Sequence, residues 1–476
     1  MPEVVFPLSS APGARPQESG GRLINAFVEV APEGAPSNAI WRRTPGLFRL
    51  AETLGHSHTR GFLNIGSAVL WILDGRVYSI SSAFALTNVG ALAGSLPVTV
   101  ARNNNATPQN VVVTENGCFN LFAASAPTSF ADVDLPASPT SVSFLNGYFL
   151  WTFGDGRIFA SDLNSVSVAS NSFHTEQGLF IRRGFVFAGR FYAFGDKWTA
   201  VFRDAGTSPF PLAKEVVIPR GIIGTWAIAG DEVGWANTPI FVGDDHIVYR
   251  LDGYTPIPIS TEDVSRDIRA AAIAEEGSLL EASTYMYGGH AMWTLTYPGN
   301  WTWEYNLTTK RWHEKKSYGR DDWRARRSIR AFDRWLVGDD ATGRLFEING
   351  EYFLEDIDAL IWHVESGSVS AFPNGIVIPR ASFNMTAGVG AFPLVGDPNP
   401  VDPTPQVSIS WSLDGGHTFG IPLLRPLGGP GESKWYPQVL SCGLSRGQGL
   451  RFKLRVSDPV HVALHSGVVD AENRGP

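Results

Sequence analysis

Only two cysteines, Cys118 and Cys442, occur among 476 residues, and they lie far apart. No CxxC or Cys/His spacing accompanies them, so a structural zinc site is not expected and they read as buried free thiols of a reducing compartment. Charge is also scarce. Asp, Glu, Lys and Arg make up 18% of the chain, against about 25% in ordinary domains. There is no long basic run and the net charge is −8, which argues against tight, phosphate-driven binding of nucleic acid. No apolar run approaches the ~20 residues of a membrane span. The first residues, MPEVVFPLSSAPGARP, lack a basic stretch followed by an apolar one, so no signal peptide is expected and synthesis in the cytoplasm is.

What the chain has in quantity is turn chemistry: 50 glycines and 32 prolines, beside a hydrophobic fraction of 43% that suffices for a packed core. Such a composition implies many short strands and few helices. A turn followed by an alternating, aromatic-bearing strand recurs along the chain. It reads DGRVYSI from Asp74, NGCFNLF from Asn116, DGRIFAS from Asp155, DKWTAVF from Asp196, DHIVYRL from Asp245, NWTWEYN from Asn300 and TGRLFEI from Thr342. Successive starts are 42, 39, 41, 49, 55 and 42 residues apart. Each follows another short apolar strand: AVLWIL, NVVVT, YFLWTF, RFYAF, PIFVG, AMWTL and RWLVG. Paired strands around a Gly/Asp turn at a period of ~40–50 residues mark propeller blades. The expected fold is therefore all-β, a β-propeller of about seven blades (six to eight being compatible).

ISTEDVSRDIRAAAIAEEG, Ile259 to Gly277, is the one helix expected, with Ser260 as its cap, Asp263 at the capping-box position and Gly277 as its end. It would be an excursion between the fifth and sixth blades. The domain reading is a leading segment over 1–54, a propeller over 55–358, and a β-sandwich-like domain over 359–476. The first twenty residues, rich in Pro, Gly and Ser, read as an extended arm. A Pro-rich loop, GDPNPVDPTP at 396–405, interrupts the last domain.

Chemical constellations are few. SWSLDGGHTFG, Ser410 to Gly420, contains an Asp-box: Ser412, Asp414, Gly416, Thr418 and Phe419. That motif is known from sialidases and other propeller glycosidases, where it recurs within the blades; here it occurs once and beyond them. Asp-Gly-Gly after the alternating Val407, Ile409 and Trp411 is hairpin chemistry, so the five residues are read as a structural turn. Glycoside hydrolysis needs two carboxylates across a sugar site. Glu281, Asp231 and Glu304 are candidates, but no spacing pairs them. The Arg-rich GRDDWRARRSIR, Gly319 to Arg330, alternates with acids and reads as a solvated loop. His56 and His58 stand two apart without a third metal ligand. GDDATG and GDDH fall where blade turns are expected and lack a calcium-loop pattern. No phosphate-binding, dinucleotide or nucleophile-elbow motif occurs. No catalytic, metal or cofactor residue is assigned, and no cofactor is expected.

Several stretches in order resemble one family. They begin with NAFVEVAPEG (Asn25 to Gly34) and TPGLFRL (Thr44 to Leu50). VSFLNGYFLWTF with RIFASDLNS follows (Val142 to Ser165), then FAGRFYAFGDKWTAVFRDAGTSPFPL (Phe187 to Leu212). GDDHIVYRLDGYTPIPIST (Gly243 to Thr261), RWHEKKS (Arg311 to Ser317), LVGDDATGRLFEI, SISWSLDGGHTFG and FKLRVSDPVHVAL complete the series. They are similar to the tail hub proteins of short-tailed phages, the packaged-DNA stabilisation proteins. One departure is Ala200 in KWTAVF, where members often carry an acid. The resemblance implies a non-enzymatic virion protein, a β-propeller hub in a six-fold ring beneath the portal and its adaptor ring. It would extend the DNA channel without sequence-specific binding, seat a needle or plug and fibres or spikes, and retain the packaged genome. A propeller glycosidase, resting on the Asp-box, and a generic propeller scaffold are the alternative readings.

Overall fold

The repeated turns are where the chain reverses. In the third of them, Gly156 adopts φ +90°, and a Cβ there would lie 2.3 Å from the Glu176 carbonyl oxygen. Only glycine fits such a position. The computed structural model describes residues 2–35, 37–274, 277–389 and 404–474; most of the Pro-rich stretch 396–405 lies outside them. All seven sequence repeats form the same hairpin, joining the second and third strands of seven successive sheets. The first blade comprises Thr59–Asn64, Val69–Leu73, Arg76–Ile80 and Leu86–Ala91. Blades two to six likewise take four consecutive antiparallel strands each, over 99–129, 141–175, 181–218, 228–258 and 281–314. The fold is all-β, a seven-bladed propeller followed by a β-sandwich.

Blade seven differs. Its strands Ala325–Ala331, Arg334–Asp339 and Arg344–Asn349 are completed by Gly46–Glu52, which pairs antiparallel with the last of them. A strand from the leading segment thus closes the ring. The propeller core is correspondingly circular, since each of its apolar clusters is shared by adjacent blades. Leu70 and Ile72 of blade one meet Val112 of blade two, and Trp71 on the other face meets Leu336 and Leu345 of blade seven. Alternation along each central strand therefore serves both neighbours, as a sheet buried on two faces requires. Trp71, Trp151 and Trp293 are wholly buried on the second strands of blades one, three and six.

Beyond blade six, the short strand Arg22–Ile24 continues the sheet into Trp362–Glu365, Arg451–Val456, Gln406–Ser412 and Leu423–Pro426. A second sheet, built from Ala26–Val30, Ala39–Arg43, Ala463–Arg474, Gly375–Met385 and Gln438–Arg446, packs against that extension. Sandwich and propeller therefore share one continuous sheet.

The helix runs Glu262–Ile273 between blades five and six, with Thr261 rather than Ser260 at its N-cap. The Ser260 hydroxyl instead accepts from the Val248 N–H at 3.1 Å and lies 2.9 Å from Ser265 Oγ. Val264, Ile268 and Ala271 bury its inner face against a cluster that includes Trp303 and Trp312, and the Trp303 indole donates to Asp267 at 2.9 Å.

Residues 2–20 are extended apart from a single 3-10 turn at Pro16–Glu18, and they are packed against the rest of the chain. Val4 and Phe6 belong to the sandwich core. The Ser10 hydroxyl donates to Glu314 at 2.8 Å, at the end of blade six. The Gly13 N–H reaches Asp263 at 3.0 Å in the first turn of the helix. Arg451 donates to the Pro16 carbonyl and to Ser19 Oγ, each at 2.9 Å. A Pro/Gly/Ser composition reads as an extended arm; burial of Val4 and Phe6 in the sandwich core makes it a strap.

Candidate functional site

The Asp-box forms a small hydrogen-bonded knot between Gln406–Ser412 and Leu423–Pro426. The Asp414 carboxylate accepts from the Thr418 hydroxyl at 2.6 Å and the Thr418 N–H at 2.9 Å, and it lies 2.6 Å from Ser412 Oγ. Ser412 Oγ accepts in turn from the Gly416 N–H at 2.8 Å. What burial Asp414 has would raise its pKa. The bonds from Ser412, the Thr418 hydroxyl and the Thr418 and His417 N–H groups outweigh that and hold it well below the ordinary carboxylate range. Phe419 lies under the Lys453 ammonium, 3.7 Å from its ring centroid. Beside the knot, the Trp411 indole donates to the Cys442 carbonyl at 2.7 Å, and the Ser445 hydroxyl to the Leu413 carbonyl at 2.8 Å. These bonds lace the turn to the edge strand of the opposite sheet.

The three carboxylates weighed for hydrolysis are each committed to a cation or a bonded pair. Asp231 accepts from Arg183 at 2.7 Å, and Glu281 from Arg327 at 3.2 Å. Glu304 is wholly buried between His313 Nε2 and the Tyr285 hydroxyl, each 2.7 Å away. Burial alone would raise the Glu304 carboxyl, but the Lys315 ammonium and the His313 and Tyr285 bonds hold it below the usual range. The same burial and the Glu304 charge push the Tyr285 phenol well above its ordinary value. Lys315 is fully buried as well, its ammonium 3.7 Å from the Trp323 ring centroid. Such a network is costly unless every member is paired.

The Arg-rich stretch is not a solvated loop. Arg324 and Arg326 are buried. Arg324 grips Asp339 with bonds of 3.0 and 2.6 Å, and Arg326 reaches Asp322 at 2.7 Å. Two of the counter-charges, Asp339 and Asp340, come from the neighbouring strand and its turn, which the local sequence does not reveal. His58 Nδ1 lies 2.9 Å from Asp340 and His56 Nδ1 3.5 Å from Asp74, so the two histidines address different carboxylates. Among the described residues no cluster of three or more metal-ligating groups occurs, and no helix is long and apolar enough to cross a membrane.

A cavity of about 560 Å³ lies on the propeller axis. Arg102, Arg183, Trp226, Asp231, Glu232 and Arg327 line it together with inner-strand residues of six blades. Glu232, Arg102 and Arg183 were not singled out from the sequence, and Arg327 was read only as part of the Arg-rich stretch. The one local signal is a pair of adjacent acids in GDEVGW, Gly230 to Trp235.

Comparison with known proteins places this architecture. Three solved structures are similar. The WD40 β-propeller domain of Doa1 is 12% identical, with a TM-score of 0.43, over 63% of this chain and 97% of that one. A selenomethionine-substituted virginiamycin B lyase from Staphylococcus aureus is 8% identical, TM-score 0.40, over 62% and 95%. BamB from Moraxella catarrhalis is 12% identical, TM-score 0.38, over 69% and 97%. No curated protein sequence matches. The phage-stabilisation family model, described as Bacteriophage P22 Gp10, beta-propeller, matches residues 22–352. That span starts at the strand joining propeller to sandwich and takes in all seven blades. The chain therefore belongs to the bacteriophage P22 Gp10 β-propeller family and is a structural component of a phage virion.

Proposed function

We propose that this chain is the tail hub of a short-tailed phage. Made in the host cytoplasm, it docks beneath the portal and adaptor ring as a six-fold ring of copies. There it extends the DNA channel, seats the needle or plug and the fibres or spikes, and so retains the packaged genome. Family membership over residues 22–352 is the observation that carries this reading. The propeller axis supports the ring. A lined cavity of about 560 Å³ has no room for a duplex whose major groove alone is about 12 Å wide. DNA must therefore pass between copies and not through one.

Charge agrees with a conduit. A net charge of −8 per chain disfavours static phosphate contacts, whereas a basic lining would release counterions and hold the polymer. The hub acts without catalysis, and the Asp-box serves as a turn that fastens the sandwich. Packaged DNA repels itself, so closure by ring and plug requires no chemical step. The test is a preparation of particles assembled without this chain. Heads that fill with DNA and then lose it are expected; stable, filled and infectious particles would end the tail-hub reading.

A further inference from the structure

Charge is unevenly spread along the chain. From Asn103 to Ile181, most of blades two and three, one cation stands against six acids, a net −5. From Leu413 to Arg455, in the sandwich, six cations stand against two acids, a net +4. In the first stretch Glu115, Asp155 and Glu176 are taken up by Arg60, Arg157 and Lys214. Asp132, Asp134 and Asp162 make no ion pair among the described residues. Asp132 Oδ2 accepts from the Val168 N–H at 3.1 Å, which fixes the connection 130–135 beside Val168–Thr175, the outer strand of blade three. Val133, 99% exposed, and Leu163 stand out beside these acids.

The second stretch forms the open edge of the sandwich, where Leu423–Pro426 ends one sheet and Gln438–Arg446 the other. Arg425 joins the two by donating to the Gln438 carbonyl at 2.7 Å. Arg425, Lys434, Arg446 and Arg455 make no ion pair among the described residues. Around the same edge Ile421, Leu424, Trp435, Tyr436, Leu440 and Leu444 are exposed. So many large apolar side chains in one place, rimmed by charge, mark a contact surface. Ser441 and Gly443, at φ +55° and +97°, interrupt the ladder that a further strand would need. The contact is therefore made by side chains and not by strand addition.

The sandwich grows from the sheet of blade six. Counted either way round a ring of seven, blades two and three are the farthest from it. The two surfaces thus lie on opposite sides of one molecule, which cannot bring them together itself. We propose that the open sandwich edge of one copy docks on the outer side of blades two and three of the next. Exposed apolar side chains meet there, and the four free cations face Asp132, Asp134 and Asp162. A second copy is the occupant because each surface finds its complement on the same chain. Head-to-tail contacts between unlike surfaces repeat until a ring closes, and complementary charge sets partner and register. This rests on the ring of copies proposed above and supplies its contact.

Sedimentation of the full chain at rising concentration tests it with two charge-reversed variants. One carries Asp134→Lys with Asp162→Lys, the other Lys434→Glu with Arg446→Glu. None of these four side chains is bonded within the chain, so both variants should melt as the unaltered chain does. The unaltered chain should associate, and less strongly as salt is added. Each variant alone sets like charge against like and should associate about tenfold more weakly or worse. An equimolar mixture should recover the full strength, because reversed blades then meet a reversed edge and unaltered surfaces meet each other. Variants that associate alone like the unaltered chain, or a mixture no stronger than either, overturn the contact. So do closed dimers, which would pair two edges, and an unaltered chain still monomeric at millimolar concentration, whose edge would await a different protein. In each of these cases the fate of DNA in particles lacking the chain still decides the hub reading by itself.

Discussion

Blades one to six are each made of four strands that follow one another along the chain, whereas blade seven has three and takes its fourth from Gly46–Glu52, nearly three hundred residues away. The sandwich is assembled in the second manner, from strands of both chain ends. The first kind of sheet requires only short loop closures. The second requires a long one, and its entropic cost falls before its contacts form. Local blades can therefore form in any order, but ring and sandwich close together once the leading segment is in place. That segment is the fastener of the molecule.

The largest test of this contrast removes the strap. Deleting residues 2–21 takes Val4 and Phe6 from the sandwich core and Ser10 from its bond to Glu314. Loss of one buried Phe costs about 3–5 kcal/mol, so the sandwich should unfold well below the propeller in a thermal melt, with early proteolysis confined to 362–474. A melt identical to that of the intact chain would mean that the strap is a passive arm after all.

A matched pair sharpens the comparison next. Leu47, on the borrowed strand, and Leu150, in blade three, are both wholly buried. Each changed to Ala should cost about 2–5 kcal/mol. The two should differ in where the molecule opens. Hydrogen exchange in Leu47→Ala should rise first along Arg344–Asn349, its ladder partner, while blades two to four stay protected; Leu150→Ala should loosen blade three and its neighbours. Indistinguishable exchange maps would remove the distinction between borrowed and local strands.

The same division decides what was legible in the sequence. All seven hairpins could be read because each is a local turn with alternating strands on both sides. The borrowed strand could not, since Gly46–Glu52 alternates like any other and nothing local names Arg344–Asn349 as its partner. Arg324 was misread for the same reason, its partner Asp339 lying on the next strand, while Arg326 pairs within the stretch with Asp322 and also reaches Asp340 of the following turn. The Asp-box could be read as a turn because its bonds run within seven residues, from Ser412 to Thr418. Glu232 was missed because it meets the other cavity-lining residues only where six separate blades converge.

Two half-buried glutamates with opposite shifts give a pH test of the sandwich against the propeller. In the sandwich, burial would raise Glu365, but His363 and Lys453 bring it down to about 2. Its folded pKa lies below its unfolded one, so its contribution is present above about pH 4.5 and is lost as pH falls toward 2, up to about 3 kcal/mol. Glu232 in the propeller is raised to about 7. Its contribution is full below the unfolded value and is lost as pH rises through 7. Stability measured by urea unfolding should therefore fall at both ends. Glu365→Gln should flatten the acid limb and Glu232→Gln the neutral one. An acid limb unaltered by Glu365→Gln would assign it to other carboxylates.

The smallest effect belongs to the Asp-box. Asp414→Ala removes acceptors for the Thr418 N–H and hydroxyl and leaves Ser412 without its carboxylate neighbour. These are side-chain-to-backbone bonds at a partly exposed turn, each replaceable in part by water, so the expected loss is about 0.5–2 kcal/mol. The loss should register in the sandwich transition alone, because the turn is laced to that domain through Trp411 and Leu413. Asp414→Asn, which keeps an acceptor oxygen but no charge, should recover part of it. Glycan cleavage by the unaltered chain that disappears in Asp414→Ala would show instead that the motif does chemistry. A simple downward shift of the sandwich melt, with no activity to lose, is what a turn requires.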